Sequence, residues 1–187
     1  MQRVGGRDPL RLPLRVYFKN EPAIDEGGVK KEYFFLILRE LFDPQYGMFK
    51  FNEDTRVYWF NGGTFEPNIN FELVGTLMGI AMYNNMFVDI PIAPACYKQI
   101  LGQKPDLSDM AKWQPDVAKS LQFILDYDEA KEGKPLEDVV GRTFTVDFEQ
   151  FGVMQEIELI PEGKQTPVTS ANREEFVRLF VEYEFEG

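Results

Sequence analysis

Apolar positions along the chain fall into short runs divided by clusters of Gly, Pro, Asn and Asp, and each run has its own period. Leu14 to Phe18 reads as a strand between Pro13 and the Asn20-Glu21-Pro22 turn. Val29 to Phe42 reads as a helix that stops near Pro44 and is entered through a turn at Asp25 to Gly28. Its centre, Tyr33 to Leu38, is apolar all round, which predicts burial on most sides. A buried strand could show the same run, but the flanking Lys30, Lys31, Glu32, Arg39 and Glu40 favour the helix. Met48 to Phe51 and Val57 to Phe60 bracket Asn52-Glu53-Asp54-Thr55 as a hairpin. Phe71 to Asn84 reads as a largely buried helix whose Gly75 and Gly79 would let a neighbouring backbone approach.

Farther on, Pro94 opens a helix that runs to Leu101, and Gly102 to Leu107 is a linker where composition shifts. Pro115 to Tyr127 is an amphipathic helix with Val117, Leu121, Ile124 and Leu125 on one face. Asp128 to Pro135 is a charged loop, and Arg142 to Val146 alternates with Val153 to Leu159 as a hairpin pair. Pro161-Glu162-Gly163 is a turn, and Thr169 or Ser170 is the expected N-cap of a last helix, Arg173 to Tyr183. In that helix Phe176, Phe180 and Tyr183 follow i, i+4, i+7 spacing, with Val177 and Val181 on a neighbouring face. The fold class is α+β. A larger, mostly helical part with a β-hairpin covers residues 1–102, a smaller α/β part covers 103–170, and residues 171–187 carry the closing helix.

Composition then narrows the function. With 187 residues, 44% of them hydrophobic and 14% aromatic, the chain can bury a core of ordinary domain size. A formal charge of -11 argues against binding nucleic-acid backbone or anionic membrane, and leaves a basic protein partner compatible. The uncharged stretch between Glu72 and Asp89 contains Asn84 and Asn85 and falls short of the roughly 20 apolar residues of a membrane span. Met1 to Arg11 has no apolar signal-peptide region, so a cytoplasmic or nuclear setting is expected.

Two scarcities remove chemistry. Without histidine, Ser-His-Asp and Cys-His catalysis and histidine-ligated metal sites are excluded within this chain. A single cysteine excludes an internal disulfide and a Cys-rich zinc site, so neither metal nor other cofactor is expected. Cys96 would sit one turn after Pro94, where helix amides can lower a thiol pKa, but its neighbours are mostly apolar and it reads as a structural cysteine. Asp25 and Glu26 suit a helix entrance; an acidic hydrolase using them is the less favoured alternative.

Several segments taken in order carry more information than any one of them. These are Ile24 to Phe35, Asp43 to Phe49, Tyr58-Trp59-Phe60-Asn61, Val74 to Asn85 and Thr169 to Phe176. Together they resemble the N-terminal lobe of a HECT-type ubiquitin ligase over nearly the whole chain, and Tyr83-Asn84-Asn85 lies outside the WW-domain branch of that family. The resemblance implies a lobe that docks a ubiquitin-charged conjugating enzyme. Ubiquitin would pass to a catalytic cysteine on a C-terminal lobe outside this chain, and then to a substrate lysine. It implies no catalytic residue here, an inactive isolated chain, and the conjugating enzyme and ubiquitin as partners, with substrate held elsewhere.

In the resemblance Phe176 lines a groove for a loop phenylalanine of the conjugating enzyme, with Phe180 one turn on. The facing wall, from the amphipathic helix and the strand after it, corresponds to Val117, Ser120, Leu121, Tyr127, Asp138 and Val140. Glu137 and Asp138 would form an acidic rim for a basic partner helix. Val117 and Val140 are smaller than usual and the loop from Asp128 to Pro135 is longer, which bears on the choice of partner. A second ubiquitin surface, where some family members have one, would involve Tyr46 and Ile92 to Tyr97, but Cys96 replaces an aromatic there and no ubiquitin-binding residue is assigned. From the residues alone, the Phe176 stripe reads first as a core face. The alternative function is a non-catalytic module that uses the same apolar groove.

Overall fold

The computed structural model describes residue 10, residues 12–19, 28–150 and 153–186, with residues 149 and 150 described by backbone alone. The expected turn at Asn20-Glu21-Pro22 and the acids Asp25 and Glu26 lie outside the described residues. The chain divides into two compact units, one of residues up to 50 with 64–91, the other of residues 51–63 with 92–187.

In the first unit, α1 (Gly28–Leu41) packs against α2 (Asn68–Tyr83). Phe34 and Leu38 of α1 and Val74, Leu77 and Ala81 of α2 are buried at i, i+4 and i, i+3, i+7 spacing. Phe42 stacks on Phe49 with ring centroids 4.2 Å apart, and Phe71 meets Phe49 edge-on at 5.8 Å. Between them Asp43 accepts a hydrogen bond from the Gln45 amide, and Gly47, at φ 72°, closes a short 3-10 turn over Pro44–Tyr46.

Burial in this unit is narrower than the sequence predicts. Phe35 is 60% exposed and Leu36 is also exposed, so α1 has an open apolar side where burial on most sides is expected. On α2, Ile69, Leu73, Met82 and Tyr83 are exposed, and a Cβ added at Gly75 or Gly79 would meet nothing within 4 Å. Among the described residues, the close backbone approach expected at those glycines is not seen. Residues 14–18, where a strand is expected, pair with no strand among the described residues. Leu14 instead donates its amide to Asn84 Oδ1 at 3.0 Å, while Asn84 Nδ2 donates to the Ile80 carbonyl in the last turn of α2.

β1 (Phe49–Asn52) and β2 (Val57–Phe60) form a two-stranded sheet, and the hairpin enters the second unit at residue 51. Asn52 fixes its turn by accepting from the Asp54 and Thr55 amides. Its Nδ2 donates to the Trp113 carbonyl at 2.8 Å. Next come α3 (Pro94–Ile100), α4 (Leu107–Trp113) and α5 (Pro115–Asp126). α4 occupies the end of the expected linker and is started by a capping box: Asp106 accepts from the Asp109 amide and Asp109 from the Asp106 amide. Asp109 is fully buried and holds Lys98 Nζ at 2.5 Å, tying α3 to α4.

The expected loop after α5 contains α6 (Glu129–Glu132). α7 (Leu136–Val140) follows, a helix where the family resemblance places a strand. Pro135 precedes it, Glu137 and Asp138 occupy its first turn, and Gly141 at φ 58° ends it. β3 (Thr145–Gln150) then pairs antiparallel with β4 (Val153–Glu158), Val146 opposite Ile157 and Phe148 opposite Gln155. β3 begins later than expected because Thr143 is taken into a bridge with Pro167. The last helix, α8 (Arg173–Glu186), starts after Asn172 and runs a turn beyond Tyr183. The expected cap residue Ser170 gives its hydroxyl to Glu129 instead.

Candidate functional site

The site is built in the second unit, where α5 packs on α8. Pro115 starts α5, and Ala118, Leu121 and Ile124 form its buried row, with Val117 and Leu125 half-buried beside it. Ser120 points outward and bonds back to the Asp116 carbonyl at 3.0 Å. Tyr127 ends the helix in extended conformation, its ring edge-on to the exposed Phe123 at 5.7 Å and its hydroxyl donating to the Lys134 carbonyl.

On α8 the buried row is Val177, Val181 and Phe185, with Phe176 beside it. Phe176 is only 1% exposed and meets Phe144 edge-on at 5.4 Å and Phe180 at 5.9 Å. The aromatic stripe is therefore graded in depth: Phe176 lies in the core, whereas Phe180 and Tyr183 are half-buried. Phe176 forms a floor beneath Phe180 rather than an open wall.

Polar ties hold these elements. Arg173 Nη1 donates to the Tyr127 carbonyl at 2.6 Å and the Ile124 carbonyl at 3.4 Å, satisfying the open end of α5 from the first turn of α8. Glu129 Oε1 accepts from Ser170 Oγ at 2.6 Å and from the Leu136 amide at 2.9 Å. The Ser170 hydroxyl, the Leu136 amide and the charge of Arg173 hold the Glu129 carboxyl below its ordinary pKa. α7, which carries the exposed Asp138 and half-buried Val140, is tied to the rest through Leu136.

Of the positions expected from sequence, Val117, Leu121, Phe176 and Phe180 thus lie on two helices in contact, and Tyr127 is fastened to the second of them. Ser120 and Asp138 are exposed. A small cavity lined by Lys104, Pro105, Arg178, Glu182 and Phe185, with Lys104 and Glu182 paired at 2.7 Å, includes none of these residues. Cys96 is 8% exposed, and burial pushes its thiol pKa up, opposite to the shift that activates a nucleophile. Among the described residues no three potential ligand side chains converge as a metal site. No helix there is long and apolar enough to cross a membrane. What the arrangement offers chemically is a half-exposed apolar surface along two packed helices, with a polar rim, suited to meeting apolar side chains of another molecule.

Comparison with known proteins assigns the frame. The family model described as HECT-domain (ubiquitin-transferase) matches residues 35–187. The chain belongs to the HECT-domain family. It is 44% identical over 175 residues to "Probable E3 ubiquitin-protein ligase HERC4" of Homo sapiens, covering 94% of this chain and 16% of that protein. It is 40% identical over 177 residues to "Probable E3 ubiquitin-protein ligase HERC3" of Homo sapiens, covering 95% and 16%. Against "Probable E3 ubiquitin-protein ligase HECTD2" of Mus musculus it is 36% identical over 191 residues, covering 95% and 24%. This HECT chain therefore spans less than a quarter of the length of these relatives.

Sequence reasoning missed Glu129, Arg173, Phe123 and Phe144 in this HECT site. Arg173 and Glu129 act across 46 and 41 residues of chain, and a single polar residue has no period that could announce such a partner. Phe123 lies off the apolar face of α5, where its exposed ring gave no reason to single it out.

Proposed function

We propose that this chain is the part of a HECT ubiquitin ligase that docks a ubiquitin-charged conjugating enzyme. Residues 103–170 supply the docking subdomain, and the helix within 171–187 completes its groove. One observation carries the reading: in a HECT-family chain, half-exposed Phe180 of α8 rests on the buried Phe176, and α8 packs against α5, which carries half-exposed Val117. A loop phenylalanine of the partner would rest against Phe180 and Val117, with Ser120, Tyr127 and Val140 at the margin. Glu137 and Asp138 of α7 would speed the approach of a basic partner helix.

Ubiquitin then passes to a cysteine on a lobe outside this chain, and from it to a substrate lysine. The work done here is proximity and orientation, worth on the order of 7–11 kcal/mol at best for well-placed reactants. The chain alone transfers nothing.

The test is titration with a panel of ubiquitin-conjugating enzymes by NMR, comparing wild type with Phe180→Ala. Phe180 is preferred to Phe176 because truncating a fully buried ring would confuse docking with folding. Saturable binding to at least one member is expected, weakened about fivefold or more in the variant. A folded wild-type chain that binds none of the panel would overturn the reading.

A further inference from the structure

We propose that Glu129 is a positioning residue for the docking groove: its carboxylate joins α7 to the approach of α8 and so sets the two sides of the groove before a partner arrives. This rests on the docking reading above. The loop after α5 is built from its own hydrogen bonds. Asp128 caps α6 by accepting from the Ala130 and Lys131 amides, Gly133 at φ 71° ends it, and the Tyr127 hydroxyl reaches the Lys134 carbonyl at 3.1 Å. Glu129 then closes the loop by accepting the Leu136 amide, which is the first amide of α7. Because Pro135 precedes that amide and α7 is a single short helix, the bond fixes where α7 begins.

The same oxygen, Glu129 Oε1, also accepts the Ser170 hydroxyl just before α8. Nearby Arg173 anchors the first turn of α8 to the end of α5. The segment that looks from sequence like a long insertion is therefore a clip. Its polar groups meet Tyr127 just after α5, the first amide of α7 and Ser170 just before α8, at the ends of the elements that carry most of the expected docking residues. A groove assembled in advance binds more tightly than one ordered by its ligand, because apparent affinity falls with the fraction of competent molecules.

Both bonds fall on one carbonyl-type oxygen, so glutamine can replace glutamate and alanine cannot. The experiment measures hydrogen exchange at the Leu136 amide and affinity for the conjugating-enzyme panel in wild type, Glu129→Ala, Glu129→Gln and Ser170→Ala. Glu129→Ala is expected to speed Leu136 exchange and weaken binding about three- to tenfold. Glu129→Gln should restore both, and Ser170→Ala should weaken binding while Leu136 stays protected. Wild-type affinity in Glu129→Ala, or failure of Glu129→Gln to restore it, overturns the proposal while leaving the docking reading intact. If Glu129→Ala does not fold, wild-type affinity in Ser170→Ala overturns it instead. A wild-type chain that binds no conjugating enzyme overturns the docking reading and the positioning role together.

Discussion

Arg173 Nη1 lies 2.6 Å from the Tyr127 carbonyl oxygen, so the first residue of α8 closes the open end of α5. Those last carbonyls have no partner within their own helix, and a cation is the favourable group to place there. Arg173→Ala should lower stability by about 1–3 kcal/mol. Arg173→Lys should recover only part of this, because a point charge on a flexible stem cannot reproduce two directed bonds. Urea unfolding curves decide it: a midpoint unchanged by Arg173→Ala would show that the tie contributes nothing.

Gly163 is required by space rather than by backbone angle. A Cβ there would sit 2.5 Å from the Phe144 carbonyl oxygen, a backbone atom that also accepts the Leu159 amide. Gly163→Ala must push the 3-10 turn that it starts, Gly163–Gln165, away from the Phe144 backbone, at a cost of about 2 kcal/mol or more. An unfolding midpoint equal to wild type would contradict this.

The legible parts of the fold are those with punctuation at both ends. Asn52 to Thr55, rich in turn formers between two apolar runs, announces the first hairpin, and Pro115 with the Val117, Leu121, Ile124 spacing announces α5. α4 escapes notice because so short a helix shows only Leu107, Met110 and Trp113 as large apolar groups, less than two full turns of a period. The family resemblance implies a strand at Asp138 and Val140, but Pro135 and Gly141 bracket a short helix there, and local backbone signals outweigh β propensity over so few residues. The open side of α1 illustrates a different limit. An apolar run such as Tyr33 to Leu38 says that a surface favours burial, not that this chain supplies the cover. In the site, Val117, Leu121, Phe176 and Phe180 can be read from periodicity, whereas the depth of Phe176 depends on Phe144, which packs across the unit from another element.

That depth makes Phe176 and Phe180 separable by experiment. Phe176→Ala empties a fully buried site and should cost about 3–5 kcal/mol of stability. Phe180→Ala should cost clearly less, because its ring is half-exposed. Equal thermal-unfolding losses for the two variants would refute the graded arrangement.

Asp106 predicts an acid limb in the stability profile. Its carboxyl is lowered from 3.8 to about 2, chiefly by the Ser108 hydroxyl and then by Lys98 and the Ser108 amide. A depressed carboxylate stabilises the fold above its unfolded pKa and loses that contribution as pH falls through the folded value. Stability should therefore decline between about pH 4 and pH 2. Asp106→Asn keeps a cap acceptor without the charge, so it should flatten this part of the decline. An identical acid limb in that variant would assign the loss to other carboxylates.

Cys96 offers the sharpest test of where the chemistry is not. The thiolate is the reactive form, and burial alone raises this thiol's pKa, with no histidine in the chain to act as a base. Access is poor as well, since the residue follows Pro94 and Ala95 in α3 and is buried with Ala95. In the native chain at neutral pH, reaction with a disulfide reagent should be slow and should become fast only on unfolding. When the chain is mixed with a ubiquitin-charged conjugating enzyme, no thiol-sensitive ubiquitin adduct should appear on it. A ubiquitin thioester that forms on the wild type and disappears in Cys96→Ser would make this chain a transferase in its own right, and the docking role would no longer describe its whole contribution.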